Sequence, residues 1–113
     1  MSEDELLIKI SVIGSNTNLN YKFGNLTAEN RWKINYLPIL GRDLPIKRIK
    51  IENRRIKLII QILAGEDSFF ELRTKSYYRG SAGCLILFDK GNLESFNAVK
   101  RFYREFHKAL SKS

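Results

Sequence analysis

The chain has 113 residues, of which 43% are apolar and 28% are charged. This length is typical of one domain with a hydrophobic core, and the composition argues against a disordered chain and against a membrane protein. No stretch reaches the roughly 18 apolar residues of a membrane span, and the acidic start differs from the basic start of a secretory signal. Cys84 is the single cysteine, so no internal disulfide can form. We therefore expect one cytoplasmic domain covering residues 1–113.

The chain is strongly basic, with a formal net charge of +8. Such an excess favours acidic partners, and much of it is concentrated between positions 42 and 57. Two interpretations stay open: a solvated face of a soluble protein, or a surface for nucleic acid or an anionic membrane, whose binding would fall with salt. The basic residues in question are Arg42, Lys47, Arg48, Lys50, Arg54, Arg55 and Lys57.

The first part of the chain predicts a strand followed by a polar turn. Residues 6–13 are largely apolar and end at Gly14, which is typical of a strand buried on both faces. Turn-forming and cap-forming residues follow at 15–20, and 19–33 could form a helix that Gly24 and Asn25 weaken.

The rest of the chain predicts a hairpin, a third apolar strand and a helix. Residues 45–51 and 56–62 form the hairpin arms around a turn at 52–54, the first arm charged and the second mostly apolar. Residues 68–78 have partly helical spacing, 83–89 predict a buried strand, and 94–110 predict an amphipathic helix. The order of these elements predicts an α/β sheet of about four strands with helices on both faces.

Several of these segments resemble the motifs of the Ras-like small GTPases, closest to the Rab branch. Residues 76–83, SYYRGSAG, resemble the family's SYYRGAxG, and 94–100, ESFNAVK, resemble its ESFxNVK. Residues 36–41, YLPILG, resemble the YxPTxG of switch I, and 64–66, AGE, resemble the AGQ of switch II. The resemblance implies a truncated P-loop, Rossmann-like small-GTPase fold, with one extra residue in switch II before Tyr77.

The resemblance breaks down at the residues that hold the nucleotide. The family's GxxxxGK[ST] loop cradles phosphates with backbone amides, a lysine and a magnesium-binding hydroxyl. Here Leu19, Asn20 and Tyr21 replace the second glycine, the lysine and the hydroxyl residue. The positions equivalent to the cofactor site are Gly14, Ser15, Asn16, Thr17, Asn18, Leu19, Asn20, Tyr21 and Gly65.

Other departures concern magnesium and hydrolysis. Ile39 and Ile62 stand where the family has its magnesium-linked Thr and Asp, and Glu66 replaces the glutamine that orients water. The chain carries no NKxD guanine reader and no C-terminal cysteine for a prenyl anchor.

We therefore expect a pseudo-GTPase that acts through protein–protein binding, with no catalytic residue, no metal and no cofactor. Two alternatives stay open. One is a residual guanine-nucleotide switch in trafficking or signalling, binding GTP or GDP with magnesium and completed by a second chain. The other is a basic binder of nucleic acid or anionic membrane.

The expected partner surfaces also follow from the resemblance. We expect six aromatic residues to lie at or beside the two switch segments. Exposed aromatic residues anchor interfaces, although half of these six could instead pack in the core. Strand 84–88 would be an apolar edge, because the strand that covers it in the family is missing, so we expect a homodimer or a second chain there. Cys84 is predicted in the core, and His107 and Glu66 in solvent. The aromatic residues at the switch-like surface are Trp32, Tyr36, Phe69, Phe70, Tyr77 and Tyr78.

Overall fold

The computed structural model describes residues 5–27 and 40–111. Within them, the strands and helices follow the order that the sequence predicts, with one additional short strand before the hairpin. The strands are β1 Glu5–Ile13, β2 Arg42–Asp43, β3 Ile46–Ile51, β4 Arg54–Leu63 and β5 Ser81–Ile86. The helices are α1 Thr17–Thr27, a composite α2 over 67–77, and α3 Leu93–Ser111.

The strands form one mixed sheet in the order β2-β4-β1-β5, with β3 also paired to β4. β1 runs parallel to β4 and β5, whereas β2 and β3 run antiparallel to β4. The predicted α/β sheet is confirmed, but it has five strands, because the two-residue β2 precedes the predicted first arm and pairs with β4 on the other side of Pro45. Proline has no N–H for the ladder, although Pro45 O still accepts from Ile60 N at 2.9 Å.

The β3–β4 hairpin closes through a two-residue turn. Glu52 and Asn53 have φ values of 49° and 68°, so both occupy the left-handed region. Two such residues match the twist of the flanking strands. Arg54, predicted as part of the turn, is the first residue of β4.

Apolar side chains cover both faces of the sheet. On one face Val12, Ile60 and Ile62 form a cluster against which Tyr21 and Phe23 of α1 pack. On the other face Ile13 and Leu63 pack with two tyrosines of the α2 segment and with Ala98 and Phe102 of α3. Because neighbouring residues of β1 and β4 alternate between these clusters, the prediction of helices on both faces is confirmed.

Helix α1 starts two residues before the predicted helix and lies close against β4. A Cβ on Gly24 would lie 2.4 Å from Ile62 Cγ1. The glycine that weakens the helix therefore allows its close approach to the sheet. The predicted helix residues after 27 lie outside the described residues.

Helix α2 contains a π turn where the sequence has its extra residue. It begins as a 3-10 turn at Asp67–Phe69, continues as one α turn at Phe70–Leu72 and ends as a π turn at Arg73–Tyr77. Tyr78 N donates to Arg73 O at 3.0 Å, the i to i+5 bond of that conformation. A π turn accommodates one inserted residue in a helix, so the tyrosines that follow still reach the core.

Helix α3 confirms the predicted amphipathic segment. Asn92 caps it, since its Oδ1 accepts from Ser95 N at 3.1 Å. No helix in the described part of the chain is long and apolar enough to cross a membrane.

Candidate functional site

The segment equivalent to the phosphate loop is partly helical. Asn16 Oδ1 accepts from Leu19 N at 3.0 Å, and Asn16 O accepts from Asn20 N at 3.0 Å. Helix α1 begins at Thr17, within the predicted loop segment of residues 14–21. The amides of Leu19 and Asn20, which could otherwise donate to an anion, are thus bonded within the chain.

Asn20, which stands in place of the family's lysine, is fully buried. Its Nδ2 donates to Gly14 O at 2.8 Å and to Leu63 O at 3.0 Å. Its Oδ1 has no hydrogen-bond partner among the described residues. This neutral side chain ties the loop to the end of β4 and presents no positive charge to a ligand.

The backbone after β4 packs directly on the loop. A Cβ on Gly65 would lie 2.1 Å from Gly14 O, so a larger residue would collide with the backbone. Gly65 N donates to Thr17 Oγ1 at 2.9 Å, and Thr17 Oγ1 donates to Glu66 Oε1 at 2.8 Å. We call Thr17, Gly65 and Glu66 the latch. It holds a carboxylate at the N-terminus of α1, where the helix dipole stabilises negative charge.

The residues present do not fit a magnesium ion held as the resemblance implies. Ile62 is fully buried in the apolar cluster, and the Tyr21 ring packs against the same cluster. Neither position offers a small oxygen ligand. Among residues 5–27 and 40–111, no group of three or more His, Cys, Asp or Glu side chains could hold a metal ion, and Ile39 lies outside them.

A cleft of about 1000 Å³ lies beside the latch, between α1, α2 and the start of α3. It brings together five of the predicted loop residues, whereas Gly14, Leu19, Asn20 and Gly65 do not line it. Its lining includes Ser15, Asn16, Thr17, Asn18, Tyr21, Glu66, Glu94 and Arg101.

The aromatic residues predicted at the switch-like surface separate into buried and exposed members. Tyr77 and Tyr78 are 6% and 0% exposed, so the prediction that they form an exposed surface is wrong, because the π turn directs them into the core. Phe69 is half-buried against Gly41, and Phe70 is 48% exposed. The two remaining members, Trp32 and Tyr36, lie outside the described residues.

Sequence reasoning missed a buried ion pair between α2 and α3. Arg73 Nε and Nη2 donate to the two carboxylate oxygens of Glu105 at 2.8 and 3.0 Å, and the Tyr78 hydroxyl donates to the same carboxylate. Arg73 Nη1 also donates to Ala64 O at 2.9 Å and Glu66 O at 2.7 Å. Arg73 therefore joins both helices to the segment that carries the latch. The sequence offered one indication of a buried charge, because Glu105 lies on the same face of the predicted helix as the apolar Ala98 and Phe102.

The protonation of this cluster follows from its surroundings. Burial acts to lower the pKa of Arg73, but the hydrogen bond and charge of Glu105 outweigh it and raise that pKa. Burial, and then the bond to Glu105, raise the pKa of Tyr78 far above its ordinary value.

Burial also raises the pKa of Cys84, whose side chain is partly buried, to about 12. His107 lies in solvent as predicted, stacked on Tyr103.

The fold and the loop indicate a class of protein. A sheet with β1 between two parallel strands, a glycine-led loop into α1 and a second glycine after β4 match the arrangement that the resemblance to small GTPases implies. The Ras family model matches residues 9–113, and the chain belongs to that family.

Named relatives lie in the Rab branch. The chain is 34% identical over 111 residues to "Ras-related protein Rab-1C" of Dictyostelium discoideum, covering 98% of this chain and 55% of that protein. It is 35% identical over 108 residues to "GTP-binding protein YPT1" of Saccharomyces cerevisiae, covering 92% and 50%. It is 31% identical over 112 residues to "GTP-binding protein YPTM1" of Zea mays, covering 99% and 53%. The chain spans about half the length of the curated relatives it matches.

Proposed function

We propose that this chain is a cytoplasmic pseudo-GTPase that acts by binding other proteins and does not hydrolyse GTP. The observation that carries the proposal is the latch, in which Thr17, Gly65 and Glu66 bond to one another at 2.8 to 2.9 Å. These bonds engage the Thr17 hydroxyl and the Gly65 amide at the N-terminus of α1, the end of a helix at which a phosphate would bind.

Electrostatics supports the same proposal. Asn20 is neutral and Ile62 is apolar at the two positions where the family supplies a lysine and a magnesium-linked carboxylate. Glu66 brings a negative charge to the cleft. Because a carboxylate and a phosphate repel each other unless a cation lies between them, this arrangement disfavours a nucleoside triphosphate.

The proposed partner surface is centred on Phe70. This ring is 48% exposed on a helix that the buried Arg73–Glu105 pair fixes to α3 at 2.8 Å. An exposed aromatic side chain on a fixed element is a typical interface anchor. Because neither the exposed ring nor the ion pair that fixes its helix involves a nucleotide, we expect partner binding to be independent of GTP.

An affinity capture with the full chain tests this surface. We expect the wild type to retain a defined protein partner equally well with GDP, with a non-hydrolysable GTP analogue and with neither. Phe70→Ala should weaken retention by roughly tenfold or more, whereas Phe96→Ala, which removes a ring that is 52% exposed on α3, should not. Retention that requires the GTP analogue, or equal losses in both variants, would contradict the proposal.

The edge of β5 is a second proposed contact. β5 pairs with β1 alone among the described strands, and Leu85 on it is 45% exposed. An apolar strand edge pairs readily with another chain, so we propose that a second copy or a second polypeptide covers it. Sedimentation of the wild type and of Leu85→Lys measures self-association directly.

The cleft supports one other candidate function, a residual guanine-nucleotide switch. A volume of about 1000 Å³ lies at the upper end of the range of small-ligand sites. Arg101 provides one cation on its wall, opposed by Glu66 and Glu94. A direct nucleotide titration distinguishes this candidate from the pseudo-GTPase.

A further inference from the structure

Four basic side chains form two facing pairs on one side of the sheet. In the register of β3 and β4, Arg48 lies opposite Lys57 and Lys50 lies opposite Arg55. Opposed residues share a face, and every second residue of a strand returns to it. The four positions therefore mark a rectangle about 5 Å across the strands and about 7 Å along them. We call these four residues the cationic face.

The pairing of like charges in the cationic face is contrary to the usual preference of cross-strand pairs for opposite charges. Like charges directly opposite each other destabilise a hairpin, and here two such pairs lie side by side. The register also places Glu5 of β1 opposite Arg55, and this is the one acid that the strand register sets beside the cationic face within residues 5–27 and 40–111. Among the residues that the strand register aligns, four cations thus lie beside this one acid.

The same face is open to solvent and carries an exposed apolar residue. Arg48, Lys50 and Arg55 are exposed and Lys57 is half-buried. Leu7 lies opposite Lys57 on β1 and is 65% exposed. A leucine thus stands beside a group of cations on a flat surface.

The structure separates this group from the other basic residues of positions 42–57. Lys47 and Arg54 lie on the opposite face, across from Leu58 and Ile51. Arg42 is engaged in the core, since its guanidinium lies 4.3 Å from the centre of the Tyr77 ring and its Nη1 donates to Gln61 Oε1 at 3.0 Å.

We propose that the cationic face binds the surface of an anionic phospholipid bilayer. Lipid headgroups supply a flat negative layer that attracts clustered Lys and Arg, and Leu7 can enter the boundary between headgroups and acyl chains. Single-stranded nucleic acid is bound through aromatic stacking platforms, and β1, β3 and β4 contain no aromatic residue. The exposed Leu7 side chain would find no apolar contact on a phosphate backbone, so a lipid surface fits these residues better.

Vesicle sedimentation with the full chain tests the proposal. We expect binding to phosphatidylcholine vesicles that contain phosphatidylserine, little binding to phosphatidylcholine alone, and release by salt. Lys50→Glu/Lys57→Glu should weaken binding by at least about tenfold, and Leu7→Ala should weaken it less. The double variant places a carboxylate opposite Arg55 and another opposite Arg48, so its thermal midpoint should not fall below that of the wild type.

Lys47→Glu/Arg54→Glu is the matched control, because it makes the same change of charge on the other face. It should retain most of the vesicle binding. Equal losses in the two double variants would assign the effect to net charge and overturn the proposal. Absence of binding to phosphatidylserine vesicles would also overturn it, and binding to an oligonucleotide without vesicle binding would assign the face to nucleic acid instead.

Discussion

Gly65 shows at the scale of one residue how the site is closed. Its backbone approaches Gly14 so closely that a Cβ would lie 2.1 Å from Gly14 O. This contact holds the segment after β4 against the loop and places Gly65 N within 2.9 Å of Thr17 Oγ1. The close approach of two backbones, each free of a side chain, is therefore what allows the latch to form.

Gly65→Ala tests this contact. We expect it to lower the free energy of unfolding by about 1–3 kcal/mol, because the added methyl group must displace backbone atoms. Gly83→Ala is the control, since its Cβ would meet Ile10 Cδ1 at an ordinary 3.5 Å, and alanine in a strand is at least as favourable as glycine. Urea unfolding of both variants measures the difference, and equal effects would contradict the close packing at Gly65.

The residues that replace the nucleotide motif could be identified from the sequence, whereas their arrangement could not. Leu19, Asn20 and Tyr21 depart from a fixed pattern and can be read in order. The latch bond joins Thr17 and Glu66 across 49 positions, and no local pattern indicates which hydroxyl meets which carboxylate. Phe70 is exposed and Tyr78 is buried, but both are aromatic, so residue type alone did not predict which of them lies at the surface.

At the scale of elements, Arg73 and Glu105 join α2 to α3 in a buried pair with side-chain exposures of 0% and 3%. Removing one member leaves the other charge buried without its partner. We expect Glu105→Ala to destabilise the fold by about 3–5 kcal/mol and to loosen α2, which carries Phe70.

Glu71→Ala is the matched control for that prediction. Glu71 pairs with Lys75 at 3.6 Å, and both side chains are largely exposed, at 80% and 76%. An exposed i,i+4 pair contributes about 0.3–0.5 kcal/mol, so this variant should unfold close to the wild type. Thermal and urea unfolding compare the two, and a loss at Glu105 no larger than at Glu71 would show that the buried pair does not stabilise the fold.

The elements themselves were largely predictable, and the failures have physical causes. β1, β4, β5 and α3 follow from apolar runs and periodicity. The predicted burial of residues 6–13 on both faces is wrong at the start of β1, where Leu7 is 65% exposed, and the predicted buried strand 83–89 carries Leu85 at 45% exposure. The sequence did not predict β2, because a strand of two residues is too short to show a periodic pattern. The π turn depends on an insertion that only a comparison with a known motif makes visible. The Arg73–Glu105 pair joins positions 32 apart, and long-range pairing is not encoded in local spacing.

At the scale of the whole molecule, the raised pKa values predict a loss of stability in alkali. An exposed thiol ionises near 9.0, whereas burial raises the pKa of Cys84 to about 12, and burial raises that of Tyr78 further above its ordinary value of 10.0. Above pH 9 these two groups therefore keep their protons in the folded chain more than in the unfolded chain. Their contribution to the free energy of unfolding is fully present below this pH and is lost as the pH rises.

Urea midpoints measured across the alkaline range test the sign of this dependence. The slope should reach about 1.4 kcal/mol per pH unit for each group that is ionised only in the unfolded chain. Cys84→Ala should remove part of the slope between pH 9 and 12, because alanine does not ionise. A stability that is constant over this range, or an unchanged slope in the variant, would contradict the burial of the thiol.

Titration of the purified chain with fluorescent GDP and GTP, with and without magnesium, tests the central claim most directly. The yeast relative named "GTP-binding protein YPT1" serves as the positive control under the same conditions. We expect saturable binding by that relative and no saturable signal from this chain at any nucleotide concentration tested, because the latch engages Gly65 N and the neutral Asn20 stands where the family has its phosphate-binding lysine. Saturable, magnesium-dependent binding of guanine nucleotide by this chain would contradict it.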